Sequence, residues 1–187
     1  MRVIAGEAKG RTLVAPRGGD TRSATDRIRE TLFAIVEPTL PGATVLDLFA
    51  GAGTLGIEAL SRGATHATFV ERGHDAVRAL ERNLKATGFL ARSTVITADV
   101  ARYLSSRPGG PFTLAFADPP FADVIGLETT LAHPGLRAAL APEALVVARF
   151  LRKHPPAFPP DAVAVRVKEI GEENIVFLRY AEPAAGG

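Results

Sequence analysis

The sequence predicts an α/β fold: a mostly parallel sheet with helices on both faces, preceded by an N-terminal β-hairpin. From Ala43 onward, short apolar runs alternate with helical patterns, as strand–helix–strand units require. Those runs are nearly continuous in apolar residues, the mark of strands buried on both faces. Ahead of Ala43 the pattern differs, with two short strand-like pieces about a glycine-containing turn and then one amphipathic helix.

In chain order, Arg2–Ala5 and Thr12–Ala15 read as strands flanking a turn at 7–10, and Gly18-Gly19 break the chain. A helix is expected from Ser23 or Thr25. Ser23 and Asp26 resemble a capping box, and Ile28, Leu32, Ile35 and Val36 share one face. Pro38 and Pro41-Gly42 end that helix. The sheet begins with Thr44–Phe49, followed by a glycine turn at Gly51–Gly53 and a helix over Leu55–Arg62 closed by Gly63. His66–Val70 is the next strand. Asp75–Thr87 is a helix with Val77, Leu80 and Leu84 on one side and Gly88 just past its end. Strands follow at Thr94–Ala98 and Thr113–Ala117, then a helix at Leu127–Leu140 and a strand at Ala144–Phe150. After a proline-rich loop, Ala162–Ile170 and Asn174–Tyr180 form a closing pair about Gly171. Residues 1–20 are expected as a hairpin extension and residues 21–187 as one domain of ordinary size.

Hydrophobic residues make up 47% and charged residues 22%, which supports a packed core and argues against disorder. No apolar run nears the roughly 20 residues a bilayer span needs, and the first residues lack a secretory pattern, so a cytoplasmic protein is expected. With no cysteine, disulfides, thiolate zinc sites and thiol nucleophiles are excluded. His66, His74, His133 and His154 have no metal-ligand spacing, and no metal is expected. Net charge is only +2, but residues 1–29 carry seven basic side chains against three acidic ones. A basic arm on a near-neutral body suits attachment to a polyanion.

The segment Asp47-Leu48-Phe49-Ala50-Gly51-Ala52-Gly53-Thr54-Leu55-Gly56 follows a strand and opens a helix. Gly51 and Gly53 can adopt dihedrals closed to other residues and let a ligand approach the backbone. Phe49 and Ala50 enter the same turn as candidate contacts. Glu71, after the second strand, can accept hydrogen bonds from a ribose diol. A dinucleotide and S-adenosylmethionine both fit so far, since Gly51, Gly53 and Gly56 formally satisfy the G-x-G-x-x-G spacing. Asp47 separates them: a carboxylate beside the turn repels a pyrophosphate but suits the cationic ammonium of a methionyl group. Asp99, after the third strand, is placed to accept from an adenine amino group.

Asp118-Pro119-Pro120-Phe121 follows the fourth strand and so lies at the same carboxyl edge of the sheet. Each proline lacks an N–H and holds its predecessor extended, which leaves carbonyls free to accept from a ligand. Phe121 offers a flat surface on which a base can stack. An exocyclic amino group has a lone pair delocalised into its ring. A carboxylate and a carbonyl that accept its two hydrogens orient the nitrogen and favour its developing charge. Asp118 and the Pro119 carbonyl are the candidates, and neither a metal nor a covalent nucleophile is required.

These pieces together bring a known family into view. Arg2–Gly6 with Lys9-Gly10-Arg11, the segment Thr25-Asp26-Arg27-Ile28-Arg29-Glu30-Thr31-Leu32-Phe33, Asp47–Gly56, Glu58–Ala64 and Asp118–Phe121 resemble bacterial small-subunit rRNA guanine-N2 methyltransferases of the RsmD type. The resemblance covers nearly the whole chain, although Asp-Pro-Pro-Phe alone is shared with other amino-methyltransferases. It implies a Rossmann-like class I S-adenosylmethionine-dependent methyltransferase fold. It also implies S-adenosylmethionine as donor and a guanine amino group of 16S rRNA in a small-subunit assembly particle as acceptor. The N-terminal hairpin would grip RNA through Arg2, Lys9 and Arg11, with Arg22 as a further RNA contact just beyond it. Thr25 would lie near the methionyl end of the cofactor, and Arg27 and Arg29 at the RNA entrance. A monomer is expected. Two departures stand out: Arg22-Ser23-Ala24-Thr25 lacks the proline usual before the helix, and Arg149 stands where an acidic residue is common. The alternatives are a tRNA or DNA amino-methyltransferase, a non-catalytic RNA-binding assembly factor, and a dinucleotide-dependent oxidoreductase, the last disfavoured by Asp47 and the Asp-Pro-Pro-Phe loop.

Overall fold

The computed structural model describes residues 1–16, 26–106 and 108–181. Its strands are β1 (Thr44–Leu48), β2 (His66–Glu71), β3 (Ser93–Thr97), β4 (Phe112–Ala117), β5 (Leu140–Leu151), β6 (Ala162–Ile170) and β7 (Glu173–Tyr180). Its helices are α1 (Asp26–Val36), α2 (Thr54–Ser61), α3 (His74–Thr87), α4 (Val100–Ser105), α5 (Val124–Ala132) and α6 (Pro134–Ala139). The strands form one sheet in the order β3-β2-β1-β4-β5-β7-β6. Strands β1 to β5 pair in parallel, and β7 runs antiparallel between β5 and β6. This is the expected α/β architecture, the Rossmann-like class I fold. β1 pairs with β2 on one side and β4 on the other, so the direction of winding reverses there. A crevice opens at the carboxyl ends of strands at such a point.

Two hydrophobic clusters lie on opposite faces of the sheet. One joins Val45, Phe69, Leu114 and Phe116 to α1, α2 and α3, and the other joins Leu46, Leu48, Ala115 and Ala117 to α4, α5 and α6. Side chains alternate faces along a strand. Asp47, Asp118, Arg149 and Glu173 therefore share the parity of Val45, Phe116, Val147 and Ile175, on the α1–α3 face.

Three expectations are corrected. The helix anticipated over Leu127–Leu140 is two helices, and Leu140 already belongs to β5. Pro134 cannot continue α5 but suits the first position of α6, where His133 Nδ1 accepts from the Gly135 N–H at 3.0 Å. The short α4, capped by Asp99, was not anticipated. The two N-terminal strands reduce to one antiparallel bridge between Arg2 and Thr12. Their amides are drawn elsewhere: Ile4 and Ala5 donate to the Glu58 carboxylate and Ala8 to Ser61 Oγ, all on α2. Val3, Ala8 and Leu13 enter the α1–α3 cluster, so this arm is a layer of the core.

Candidate active site

A cavity of about 840 Å³ lies over the carboxyl ends of β1, β2 and β4, within the size range of small-molecule sites. Phe49, Ala50 and Gly51 line it, and so do Glu71, Asp99, Asp118, Pro119 and Phe121. The structure thus gathers around one cavity the residues that the sequence placed at four different strand ends. Met1 and Pro16 close one side, which brings the N-terminal arm to the rim.

The turn after β1 is held by two side chains, Glu71 and Asn83. Glu71 accepts from the Gly51 N–H at 2.8 Å through one oxygen and from the Gly73 N–H at 2.7 Å through the other. Asn83 of α3 donates to the Ala52 carbonyl at 2.9 Å, and also exchanges hydrogen bonds with the Val14 backbone. Phe49 sits at φ 62°, an uncommon conformation for a residue with a side chain, and so begins the turn at the cavity wall. A Cβ added to Gly51 would meet nothing within 4 Å, so bare backbone faces open space there. The Glu71 oxygens keep further lone pairs for a diol.

Asp47 and Gly53 do not line the cavity. Asp47 is 2% exposed, beneath the turn on the α2 side, and accepts from the Gly56 N–H at 2.9 Å. Burial pushes its carboxyl up to about 7, opposed by the Gly56 bond and reinforced by the Asp118 and Glu71 charges. Gly53 caps α2 at φ 80°, and a Cβ there would lie 2.3 Å from Leu80 Cδ1. Gly56 is equally constrained: its Cβ would lie 2.3 Å from Phe69 Cε1 and 3.1 Å from Asp47 Oδ2. Gly56→Ala is expected to cost about 1–3 kcal/mol through overpacking, read as a lower Tm. An unchanged Tm would show that Phe69 yields freely.

Asp99 accepts from the Ala101 N–H at 2.9 Å and faces Arg72 at 3.6 Å, half exposed on the wall. Its carboxylate caps α4, a use the sequence did not reveal.

On the opposite wall, Asp118 is fixed by Arg149, whose Nη1 donates to Asp118 Oδ2 at 2.6 Å. Burial raises the Asp118 carboxyl above its ordinary range, and the Arg149 cation works against that rise. The Pro119 carbonyl accepts no hydrogen bond among the described residues. Phe121 lies over the Arg149 guanidinium, 5.4 Å from ring centre to Cζ. Arg149 and Glu173 are what the sequence reasoning missed. The available signal was a charge inside the apolar strand Ala144–Phe150, where a buried cation requires partners.

The basic residues divide. Arg2, Lys9, Arg11 and Arg27 are exposed, whereas Arg22 and Thr25 lie outside the described residues. Arg29 is corrected: it is fully buried, donates to the Arg2 carbonyl and Asp26, and lies 3.7 Å from Glu58. A cation enclosed by two carboxylates is not offered to a polyanion. Arg27 lines a second groove of about 650 Å³ with Arg166 and Lys168 of β6, and none of these three has an ion pair among the described residues.

The chain matches the family described as "Conserved hypothetical protein 95" over residues 1–179. It is 43% identical to "Putative rRNA methyltransferase YlbH" of Bacillus subtilis over 126 residues, 66% of this chain and 68% of that one. It is 39% identical to "Ribosomal RNA small subunit methyltransferase D" of Escherichia coli over 146 residues, 78% of this chain and 72% of that one. A solved structure from Escherichia coli, "Putative methyltransferase yhhF", superposes with a TM-score of 0.85 at 34% identity, covering 97% of this chain and 99% of that chain.

Proposed function

The chain belongs to the RsmD family, whose members include small-subunit rRNA methyltransferases, and from that premise we propose that it methylates the exocyclic N2 of a guanine in 16S rRNA. S-adenosylmethionine is the cofactor. When bound, it supplies a methyl group on a sulfonium cation. The cavity fits it: exposed backbone at Gly51, carboxylates at Glu71 and Asp99, and apolar wall at Phe49, Val70 and Ala98. Glu71 would accept from the ribose hydroxyls, Asp99 from the adenine amino group, and buried Asp47 would favour the methionyl cation from beneath the turn.

One observation carries the acceptor assignment. Asp118, Pro119 and Phe121 line the same cavity as the glycine turn, and the Pro119 carbonyl accepts no hydrogen bond among the described residues. Asp118 and Pro119 would each take one N–H of the guanine amino group, and Phe121 would stack on the base. Holding the nitrogen in plane with two acceptors favours the charge that develops there as the new bond forms. Within a folded rRNA the guanine must first leave its stack. Arg2, Lys9 and Arg11 on the arm, with Arg27 on α1, are exposed cations suited to the phosphates of an assembly particle in the cytoplasm.

The test is mass spectrometry of 16S rRNA from cells with and without this protein. One N2-methylguanosine should disappear on deletion and return with the wild-type chain. Loss of a methylated adenosine instead, or no change, would reject the guanine assignment.

Asp47 gives the donor site a pH dependence. A cation beside Asp47 stabilises its carboxylate form, so below about pH 7 donor binding must expel a proton. Affinity should rise with pH between 6 and 7, by at most about tenfold per unit, then level off. Asp47→Asn should flatten the profile. Calorimetry in two buffers of different protonation enthalpy reads the released proton. A pH-independent wild-type affinity would remove Asp47 from the donor site.

A further inference from the structure

We infer that Arg149 is a positioning residue that clamps Asp118 so that one carboxylate oxygen, Oδ1, is presented to the acceptor amino group. The inference rests on the acceptor reading above and adds a residue whose type departs from the expected family pattern.

The geometry is a fork. Arg149 Nη1 donates to Asp118 Oδ2 at 2.6 Å, and Arg149 Nη2 donates to Glu173 Oε2 at 2.8 Å. The arginine side chain is 2% exposed, while its carboxylate partners are 20% and 19% exposed. Strand register builds this arrangement. Ala117 pairs with Ala148 across β4 and β5, which sets Arg149 beside Asp118, and Leu151 pairs with Glu173 across β5 and β7. Parity sends all three side chains to one face of the sheet. The same guanidinium lies over Phe121, so one side chain touches both the acid and the proposed stacking ring.

The clamp has two consequences. With Oδ2 held, Asp118 cannot rotate freely, and its remaining oxygen meets the cavity in one orientation. The cation also favours the ionised form of Asp118, against burial and the Glu173 charge, which favour protonation. The paired carboxylate has one oxygen left to accept. It orients and stabilises the amino group as an acceptor, and the proton lost after transfer passes to water. A lysine cannot reproduce the fork, because it offers a point charge without the planar pair of donors.

Substitutions on the two sides of the fork make opposite predictions. Arg149→Met removes the cation and should raise the Asp118 pKa by about one unit or more. Glu173→Gln removes an anion and should lower it. Carbon-13 NMR titration of the Asp118 carboxyl reads both shifts directly, without turnover. In the methyl-transfer assay, the acid-side midpoint of kcat should move up in Arg149→Met and down in Glu173→Gln. At pH 7, kcat should fall at least about tenfold in Arg149→Met, with donor affinity retained. Arg149→Lys should restore the midpoint but only part of kcat. Should Arg149→Met fail to fold, Glu173→Gln and Arg149→Lys still decide the matter. Shifts of the same sign in the two charge variants, or no shift, would overturn the clamp. A wild-type chain that leaves rRNA unmethylated, with the NMR shifts as stated, would overturn the acceptor reading alone.

Discussion

Asp118→Ala should slow methyl transfer by roughly 10²–10³ while the chain still binds its donor. The alanine removes one of two acceptors facing the amino nitrogen, and an equivalent loss of one preorganised partner costs roughly 10²–10³ in rate. The substitution also frees Arg149 Nη1, but Glu173 still holds that cation through Nη2. The fold and the glycine turn lie on other anchors, chiefly Glu71 and Asn83. Donor affinity by calorimetry should therefore change only a few-fold. Asp118→Asn, which keeps the shape but can donate into the amino group, should also be strongly impaired. Near-normal turnover in either variant would place the acceptor site elsewhere.

Glu58→Ala should be the most destabilising single change. Glu58 is fully buried at the crossing of the N-terminal arm, α1 and α2. It accepts from the Ile4 N–H at 2.8 Å, the Ala5 N–H at 3.0 Å and Arg62 Nε at 2.8 Å, and lies 3.7 Å from Arg29. Its removal leaves two amides without their carboxylate and a buried guanidinium with one fewer anion. Breaking a buried pair on one side costs about 3–5 kcal/mol, which in a chain of this size lowers Tm by roughly 6–20 °C. Because Met1 sits on the cavity rim, donor affinity should fall with it. Glu58→Gln, which keeps an acceptor for the amides, should cost less. A Tm within about 2 °C of wild type for Glu58→Ala would show that the arm is held by its apolar side chains alone.

Much of the fold was legible because strands buried on both faces announce themselves. The runs at Thr44, His66 and Thr113 each match their observed strand to within a residue or two. Ala162–Ile170 also matches throughout, although β6 is an exposed edge strand. The site residues were legible by a second rule, that chemistry collects where strands end. Phe49, Glu71, Asp99 and Asp118 all follow or end a strand, and all reach one cavity. Sequence distance hid the rest. Nothing in the pattern of Ile4 and Ala5 tells that their amides pair with Glu58, some 50 residues away, instead of with a second strand. Arg29 was placed at the RNA entrance by resemblance, yet it lies on the buried face of α1 between Asp26 and Glu58. That Asp47 lies beneath the turn and not on the cavity wall was hidden too, since alternation along β1 turns it under the helix start. Arg149 was visible only as an anomaly, since its meaning depends on the register of β4, β5 and β7.

The central claim is that one pocket carries methyl from donor to a guanine amino group. The direct measurement incubates the purified chain with methyl-labelled S-adenosylmethionine and small-subunit particles from cells lacking it, then digests the rRNA to nucleosides. The account predicts label in N2-methylguanosine alone, approaching one methyl per particle, at a rate roughly 10²–10³ lower with Asp118→Ala. Label in another nucleoside, or donor binding without any transfer to those particles, would contradict it.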